Sequence, residues 1–384
     1  MRRVGYQANF AGAVESVASQ GGQILPPIMG ASAFIIAEYT GTPLIRVMLY
    51  ALVPALIYFL VAGLMVYFQA VKQELKGVPR EELPDCKEIL YTRGHLFLPI
   101  ILIIVILVMG FSPLRAGFIG LISIIVLAML KKDTRLSIID FLSALERGVR
   151  DTLVVATACA CAGIIVGSIV QTGLGIRFSR FAIEMGGEIL FLVLLFMMVA
   201  SIILGMGMTT VSVYLILSVL GAPALMDLGV FEIGAHLYVF YFGIMSGLTP
   251  PVALAAYTAA GIARGDPQKT SFIAFRLGLG GFIVPFMFVY NEALLLQGSP
   301  LNIVIGVITA LIGCIAFASA IQGYMLIDVI LWQRAVLLVS AILMIGFVGP
   351  LTLLGMVLFI IIIILNNNDR KTKRLLAHGD GGSA

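Results

Sequence analysis

Three clusters of glycine, proline and hydroxyl residues interrupt apolar runs in this 384-residue chain, and their chemistry is that of ligand binding. They are Gly21-Gly22-Gln23 to Pro26-Pro27, Gly205-Met206-Gly207-Met208-Thr209-Thr210, and Ser246-Gly247-Leu248-Thr249-Pro250-Pro251. A break of this kind leaves backbone N–H and C=O groups unpaired, which hydrocarbon does not tolerate unless protein buries them or they line a wet cavity. A half-helix that restarts after the break aims free N–H groups and its positive dipole end at an anion such as a carboxylate. Unwound carbonyls, with the hydroxyls of Thr209, Thr210, Ser246 and Thr249, offer oxygens to a hard cation such as sodium without adding charge.

Two of the breaks resemble each other. GQILPPIMGASAFIIA (22–37) and SGLTPPVALAAYTAAG (246–261) align at an offset of 224 residues with the Pro-Pro pair in register. Paired interruptions in two halves of a chain point to the substrate and ion site of a secondary transporter. The alternative is that they are proline-kinked helices packed by small residues; three breaks, two of them alike, favour the binding reading. Gly163-x-x-x-Gly167 and Gly243-x-x-x-Gly247 read as close helix contacts.

The elements that must hold these clusters are membrane helices. Hydrophobic residues make up 60% of the chain and charged residues 11%, against about 25% charged in a soluble domain, and the mean hydropathy is +1.09. Runs such as LFLPIILIIVILVMG (96–110) and LTLLGMVLFIIIIIL (351–365) carry no charge. Spans are expected at 45–70, 96–111, 116–130, 188–204, 235–248 and 271–296. A small-residue helix is expected at 152–172, short apolar stretches at 211–220 and 252–263, and about three helices over 302–365. The segment 131–151 reads as an amphipathic helix with Ile138, Phe141, Leu142 and Leu145 on one face. The tail from Asn366 is polar and expected to be disordered. Loops 71–94 and 131–150 each carry five Lys or Arg, against Arg115 alone in the turn between the intervening spans. The positive-inside rule places both loops, and the basic tail, in the cytoplasm. The net charge of +4 follows from the same bias and calls for no nucleic-acid partner. Of the cysteines, Cys159, Cys161 and Cys314 lie in apolar runs, Cys86 does not, and all four read as small packing residues.

These motifs together identify a resemblance. GGQILPPIMGASAFIIAEYTG, GMGMTTVSVYLIL, AHLYVFYFGIMSGLTPPVALAAYTAAGIA and AFRLGLGGFIVPFMFVYNEALLL are similar to the large membrane subunit of tripartite ATP-independent periplasmic (TRAP) transporters, nearest to the TAXI type with fused membrane subunits. The resemblance covers most of residues 1–300. IGCIAFASAIQGY and WQRAVLLVSAILMI look like the C-terminal extension of those fused proteins, over 301–365, ahead of a polar cytoplasmic tail at 366–384. It implies an all-α polytopic membrane protein of the elevator type, with re-entrant hairpins and broken helices, in a bacterial inner membrane. Sodium would be the coupling ion, with no other cofactor, and drive import of an organic acid, a dicarboxylate or glutamate-like, handed over by a periplasmic solute-binding protein. On matching positions, Gly205 to Thr210 would be the tip of the second hairpin. Ser246 to Pro251 would be the break facing it, and Gly21 to Pro27 its first-half equivalent. In the family a first hairpin precedes that break. This chain starts at Met1 just ahead of the break, so it reads as N-terminally truncated, and the hairpin and small subunit are expected from another segment or partner.

Other polar groups read as structural. Arg177 and Arg180 are expected in a polar turn, Arg276 and Glu292 near span ends, and Glu15 and Glu38 flanking the first break. His95, His236 and His378 have no metal-ligand spacing, and His236 is expected to cap or anchor a span. GMGMTT lacks the strand context and lysine of a nucleotide loop. A membrane enzyme is the competing reading, without a metal motif or Ser–His pair to carry it, and an inactive partner or fragment is a third.

Overall fold

The computed structural model describes residues 1–79, 83–130, 135, 137–347 and 349–379. Those residues form an all-α polytopic membrane protein. The helices run α1 (Ala8–Gly22), α2 (Ala31–Tyr39), α3 (Leu44–Lys72), α4 (Cys86–Arg93), α5 (Leu98–Val108), α6 (Pro113–Leu130), α7 (Ile138–Thr172), α8 (Leu174–Met185) and α9 (Leu190–Gly205). They continue as α10 (Thr210–Leu220), α11 (Ala222–Asp227), α12 (Glu232–Met245), α13 (Leu254–Ala263), α14 (Pro267–Leu277), α15 (Leu279–Tyr290), α16 (Pro300–Gln322), α17 (Leu331–Gly346) and α18 (Pro350–Gly379). Among the described residues, four continuous stretches are long and apolar enough to cross a bilayer: Leu44–Lys72, Pro267–Tyr290, Pro300–Gln322 and Pro350–Asp369. Exposed Leu, Ile and Val side chains on α5, α6, α16 and α18 are what a lipid-facing surface requires, since hydrocarbon solvates them at no cost.

The centre of the molecule is α12. Every residue from Ile233 to Met245 is buried, because α9, α10 and α15 pack around it. Tyr238 and Phe242 meet Phe286 of α15 edge-on, with ring centroids 5.5 and 5.9 Å apart, a geometry favoured by the ring quadrupoles. The Tyr238 hydroxyl donates to the Leu194 carbonyl of α9 at 2.7 Å. The helix pair α9–α10 is a hairpin too short to span. At 1.5 Å per residue its arms reach about 24 and about 16 Å, against roughly 30 Å of hydrocarbon.

Several expectations are corrected. Residues 138–172 form one helix, not an amphipathic piece followed by a separate one. Ser137 and Asp140 make a reciprocal capping box at its start, no proline interrupts it, and Gly173 at φ 66° ends it. Hydrogen bonds from Ser137 hold the exposed Asp140 carboxyl below the usual carboxylate range. Arg177 and Arg180 sit on helix α8 rather than in a turn, because the chain bends by 75° at Gly173 and resumes helix at once. The tail is helical as far as Gly379: no proline or glycine stops α18 where the sequence turns polar. His236 is interior rather than terminal, with Nδ1 2.8 Å from the Tyr214 hydroxyl of α10. Gly163 and Gly167 have nothing within 4 Å of a Cβ position, so that pair makes no close helix contact among the described residues, whereas a Cβ on Gly243 would fall 2.9 Å from Val213 Cγ1. Of the cysteines only Cys314 is buried; Cys86 and Cys161 are exposed.

The C-terminal helices dock on the body through polar contacts at their ends. Asn291, after α15, donates from Nδ2 to the Ile345 carbonyl at 3.1 Å. Lys72 at the end of α3 pairs with Asp328 in the α16–α17 turn at 2.8 Å. Fully buried Asn366 accepts from the backbone N–H groups of Leu326 and Ile327 at 3.2 and 3.3 Å. The ends of α3 and α16, the start of α17 and Asn366 in the middle of α18 therefore share one face of the molecule.

Candidate functional site

The two similar segments fold as two broken helices, α1–break–α2 and α12–break–α13, and they lie antiparallel. Asn9 Oδ1 accepts from the Asp266 N–H at 2.7 Å. A Cβ on Gly12 would sit 3.1 Å from the Ala259 carbonyl, and one on Gly247 would sit 2.5 Å from Gln20 Nε2. Residue numbers thus rise along α1 as they fall along the partner, and the first arm of one lies along the second arm of the other. Segments similar in sequence and opposed in direction are an inverted repeat. Its consequence is geometric: the two breaks meet at the middle, where Gln20 at the edge of the first lies against Gly247 of the second and Gln23 Nε2 donates to Gln20 Oε1 at 2.6 Å.

The breaks are built alike. Both Pro–Pro bonds, Pro26-Pro27 and Pro250-Pro251, are cis. The first loop closes through a hydrogen bond from the Gly30 N–H to the Gln23 carbonyl at 2.8 Å. In the second, residues Ser246–Leu248 tighten into a 3-10 turn, and the Tyr257 hydroxyl donates to the Pro251 carbonyl. Neither α2 nor α13 has a side-chain cap, whereas α10, α14 and α16 are capped by Thr209, Asp266 and Ser299. The first N–H groups of α2 and α13 are therefore left without a local side-chain acceptor at the two breaks. Gly21 is wedged under α3, where a Cβ would fall 2.5 Å from Tyr58 Cε1, and the Tyr58 hydroxyl donates to the Val17 carbonyl at 2.8 Å.

The hairpin closes over the second break. A Cβ on Gly205 would lie 2.5 Å from Ser246 Oγ and 2.8 Å from Ser246 Cβ, so only glycine lets the end of α9 touch the break. Gly207 turns the tip at φ 78°, where a Cβ would lie 3.9 Å from Val252 Cγ1. Ser246 and Thr249 donate their hydroxyl hydrogens to the Gly243 and Met245 carbonyls at 2.7 and 2.8 Å. That leaves their oxygen lone pairs as acceptors, which is what a cation uses. Thr209 is placed differently. Its oxygen caps α10, 2.9 Å from Ser212 Oγ, and lines a cavity of about 200 Å³ with Met208 and with Cys161 and Ile165 of α7. Thr210 is the first residue of α10, and Gly22, Pro26 and Pro27 are half-buried in the first break.

Sequence reasoning overlooked Gln20, whose Gln-x-x-Gln spacing with Gln23 puts two amides one helical turn apart. It also overlooked Ser201, one turn before Gly205 on α9, which buries a hydroxyl that has no hydrogen-bond partner among the described residues. The acids stand aside: Glu15 is exposed and accepts from Ser19 at 3.5 Å. Glu38 lines an open cavity of about 1020 Å³ between α2 and the start of α6, with Phe34, Arg115 and Phe118. No cluster of metal-ligating side chains occurs among the described residues.

No curated protein matches the chain. A family model described as tripartite ATP-independent periplasmic transporter, DctM component, matches residues 1–303. That stretch contains the hairpin, both broken helices and all of the helices that surround α12. In such a system the large membrane component works with a small membrane subunit and a periplasmic binding protein. With that match over most of its length, the chain belongs to the DctM, large membrane, component of the TRAP transporters, a family of permeases and not of enzymes.

Proposed function

We propose that this permease component imports an organic acid, a dicarboxylate or glutamate-like solute, by sodium symport of the elevator type, in a bacterial inner membrane. The observation that carries the proposal is the meeting of the two breaks, with uncapped helix starts at α2 and α13 and the hairpin tip on Ser246. The uncapped N–H groups suit a carboxylate. The hydroxyl oxygens of Ser246 and Thr249, with unwound carbonyls, suit sodium, and Thr209 and Thr210 extend that oxygen set along the tip. A fused, TAXI-type organisation accounts for α16–α18, most of which lie beyond the residues matched by the family.

The test is uptake of labelled organic acids into liposomes carrying the chain with its small membrane subunit and binding protein. Uptake is expected only with an inward sodium gradient and loaded binding protein. Uptake indifferent to collapse of the gradient would remove sodium coupling, and chemical turnover of the solute without any gradient would favour the membrane-enzyme reading.

Sidedness follows from charge. The face that carries Lys72, Asp328 and Asn366 of α18 also receives loop 71–94 with its Lys and Arg, so we place it in the cytoplasm. In a cysteine-free background, Lys76→Cys and Arg147→Cys are expected to resist an impermeant thiol reagent in spheroplasts and to react once the membrane is permeabilised. Labelling of either from outside would reverse the orientation.

A further inference from the structure

Two guanidinium groups converge where the C-terminal helices dock on the body, and neither has a carboxylate partner among the described residues. Arg276 of α14 donates from Nη2 to Gln322 Oε1 at 3.5 Å. Gln322, which is buried, also donates to Gln69 of α3. Arg334, in the first turn of α17, donates from Nε to the Ala320 carbonyl at 2.7 Å and from Nη2 to the Ile321 carbonyl at 3.0 Å. Its guanidinium lies over Gly323, where a Cβ would come 3.3 Å from Nη1. The two arginines therefore bracket residues 320–323, one bound to the Gln322 side chain and the other to the carbonyls just before it. The two ion pairs found among the described residues, Lys72–Asp328 and Arg150–Glu146, involve neither arginine.

Two cationic groups gathered at one helix end, neither paired with a carboxylate among the described residues, can receive an anion. The surroundings say which kind. Gln322 ends α16, Arg334 starts α17 and Gln69 lies one turn before the end of α3, so the cluster sits at the level of helix ends, where headgroups lie. Beside it Ile330, Leu331 and Trp332 are 54%, 80% and 52% exposed. An apolar patch with a tryptophan next to a cationic pair is the composition of a membrane-interface site. We propose that Arg276 and Arg334 form a site for a phosphate group, supplied by an anionic phospholipid headgroup whose acyl chains lie along Ile330, Leu331 and Trp332. It exists only because the C-terminal helices dock, since Arg334 and Gln322 lie beyond the family match and Arg276 and Gln69 within it. The site does not depend on the transport reading; only its assignment to the cytoplasmic leaflet does.

Trp332 is the single tryptophan of the chain, so its fluorescence reports this site alone. The full chain is placed in phosphatidylcholine nanodiscs doped with brominated phosphatidylglycerol or, separately, with brominated phosphatidylcholine. Enrichment of the anionic lipid at Trp332 is expected to be about fivefold per arginine, the scale of one basic side chain at an anionic surface. Arg276→Gln is expected to remove that share, and Arg276→Lys to retain most of it, which separates charge from folding. Relief of quenching by added inorganic phosphate in the wild type, absent in Arg276→Gln, would support the phosphate chemistry and show that the solution ion competes for it. Equal quenching by the two brominated lipids in the wild type, or a preference for phosphatidylglycerol unchanged in Arg276→Gln, would overturn the proposal.

Discussion

Gly205→Val is expected to abolish transport while leaving insertion and expression intact. A Cβ at this position falls 2.5 Å from Ser246 Oγ, inside any allowed contact, and the opposing atoms belong to a buried residue on a 3-10 turn, which cannot swing away like the end of a long side chain. Overpacking of this kind costs about 1–3 kcal/mol, roughly five- to 150-fold in the population of the seated tip. The bulk of valine places the effect at the upper end. The measurement is uptake per inserted molecule, with gel filtration of the purified protein as the folding control. If the variant fails to insert or aggregates, the contact is an assembly contact. If it transports normally, the tip does not need to seat on Ser246 and the site is elsewhere.

The paired substitution Thr209→Ala with Thr249→Ala is expected to lower sodium-dependent uptake by at least about tenfold, equivalent to about 1.4 kcal/mol of lost ion binding, and to raise the sodium concentration needed for half-maximal rate. The two hydroxyls carry different structural burdens. Thr249 donates to its own helix at the Met245 carbonyl, and its loss removes an oxygen with little effect on the fold. Thr209 caps α10, and loss of a cap costs about 0.5–2 kcal/mol, which by itself loosens the tip. Thr209→Ser separates the two contributions, because serine keeps both cap and oxygen. Sodium dependence should survive in Thr209→Ser with Thr249 intact and fail in the double alanine variant. An unchanged sodium requirement in the double variant would withdraw these oxygens from the ion site. Because Thr209 faces the cavity beside α7, a loss carried by Thr249 alone would narrow the site to the second break.

The membrane class of this protein and the positions of its breaks are legible in the residues themselves. Run length against bilayer thickness, and proline or glycine inside apolar sequence, are local properties, so α3, α9, α10 and α16 and the breaks at 23–30 and 246–253 fall close to where they are read. The likeness of 22–37 to 246–261 is also a sequence property, and it anticipates a repeated break. What the string of residues does not contain is direction in space. That α1 runs against α13, that Gln20 reaches Gly247 and that Gly205 seats on Ser246 are contacts between residues 41 to 257 positions apart, and packing alone decides them. The misread features have the same origin. His236 and Arg177 look alike as polar residues near the ends of apolar runs; burial on all sides of α12 makes one an interior hydrogen-bond partner of Tyr214, while an immediate helix restart after Gly173 leaves the other exposed on α8. Arg276 and Arg334 are 58 residues apart in the sequence. Only the docking of α16 and α17 against α3 and α15 brings them together, because a charge cluster is a property of the surface that folding assembles.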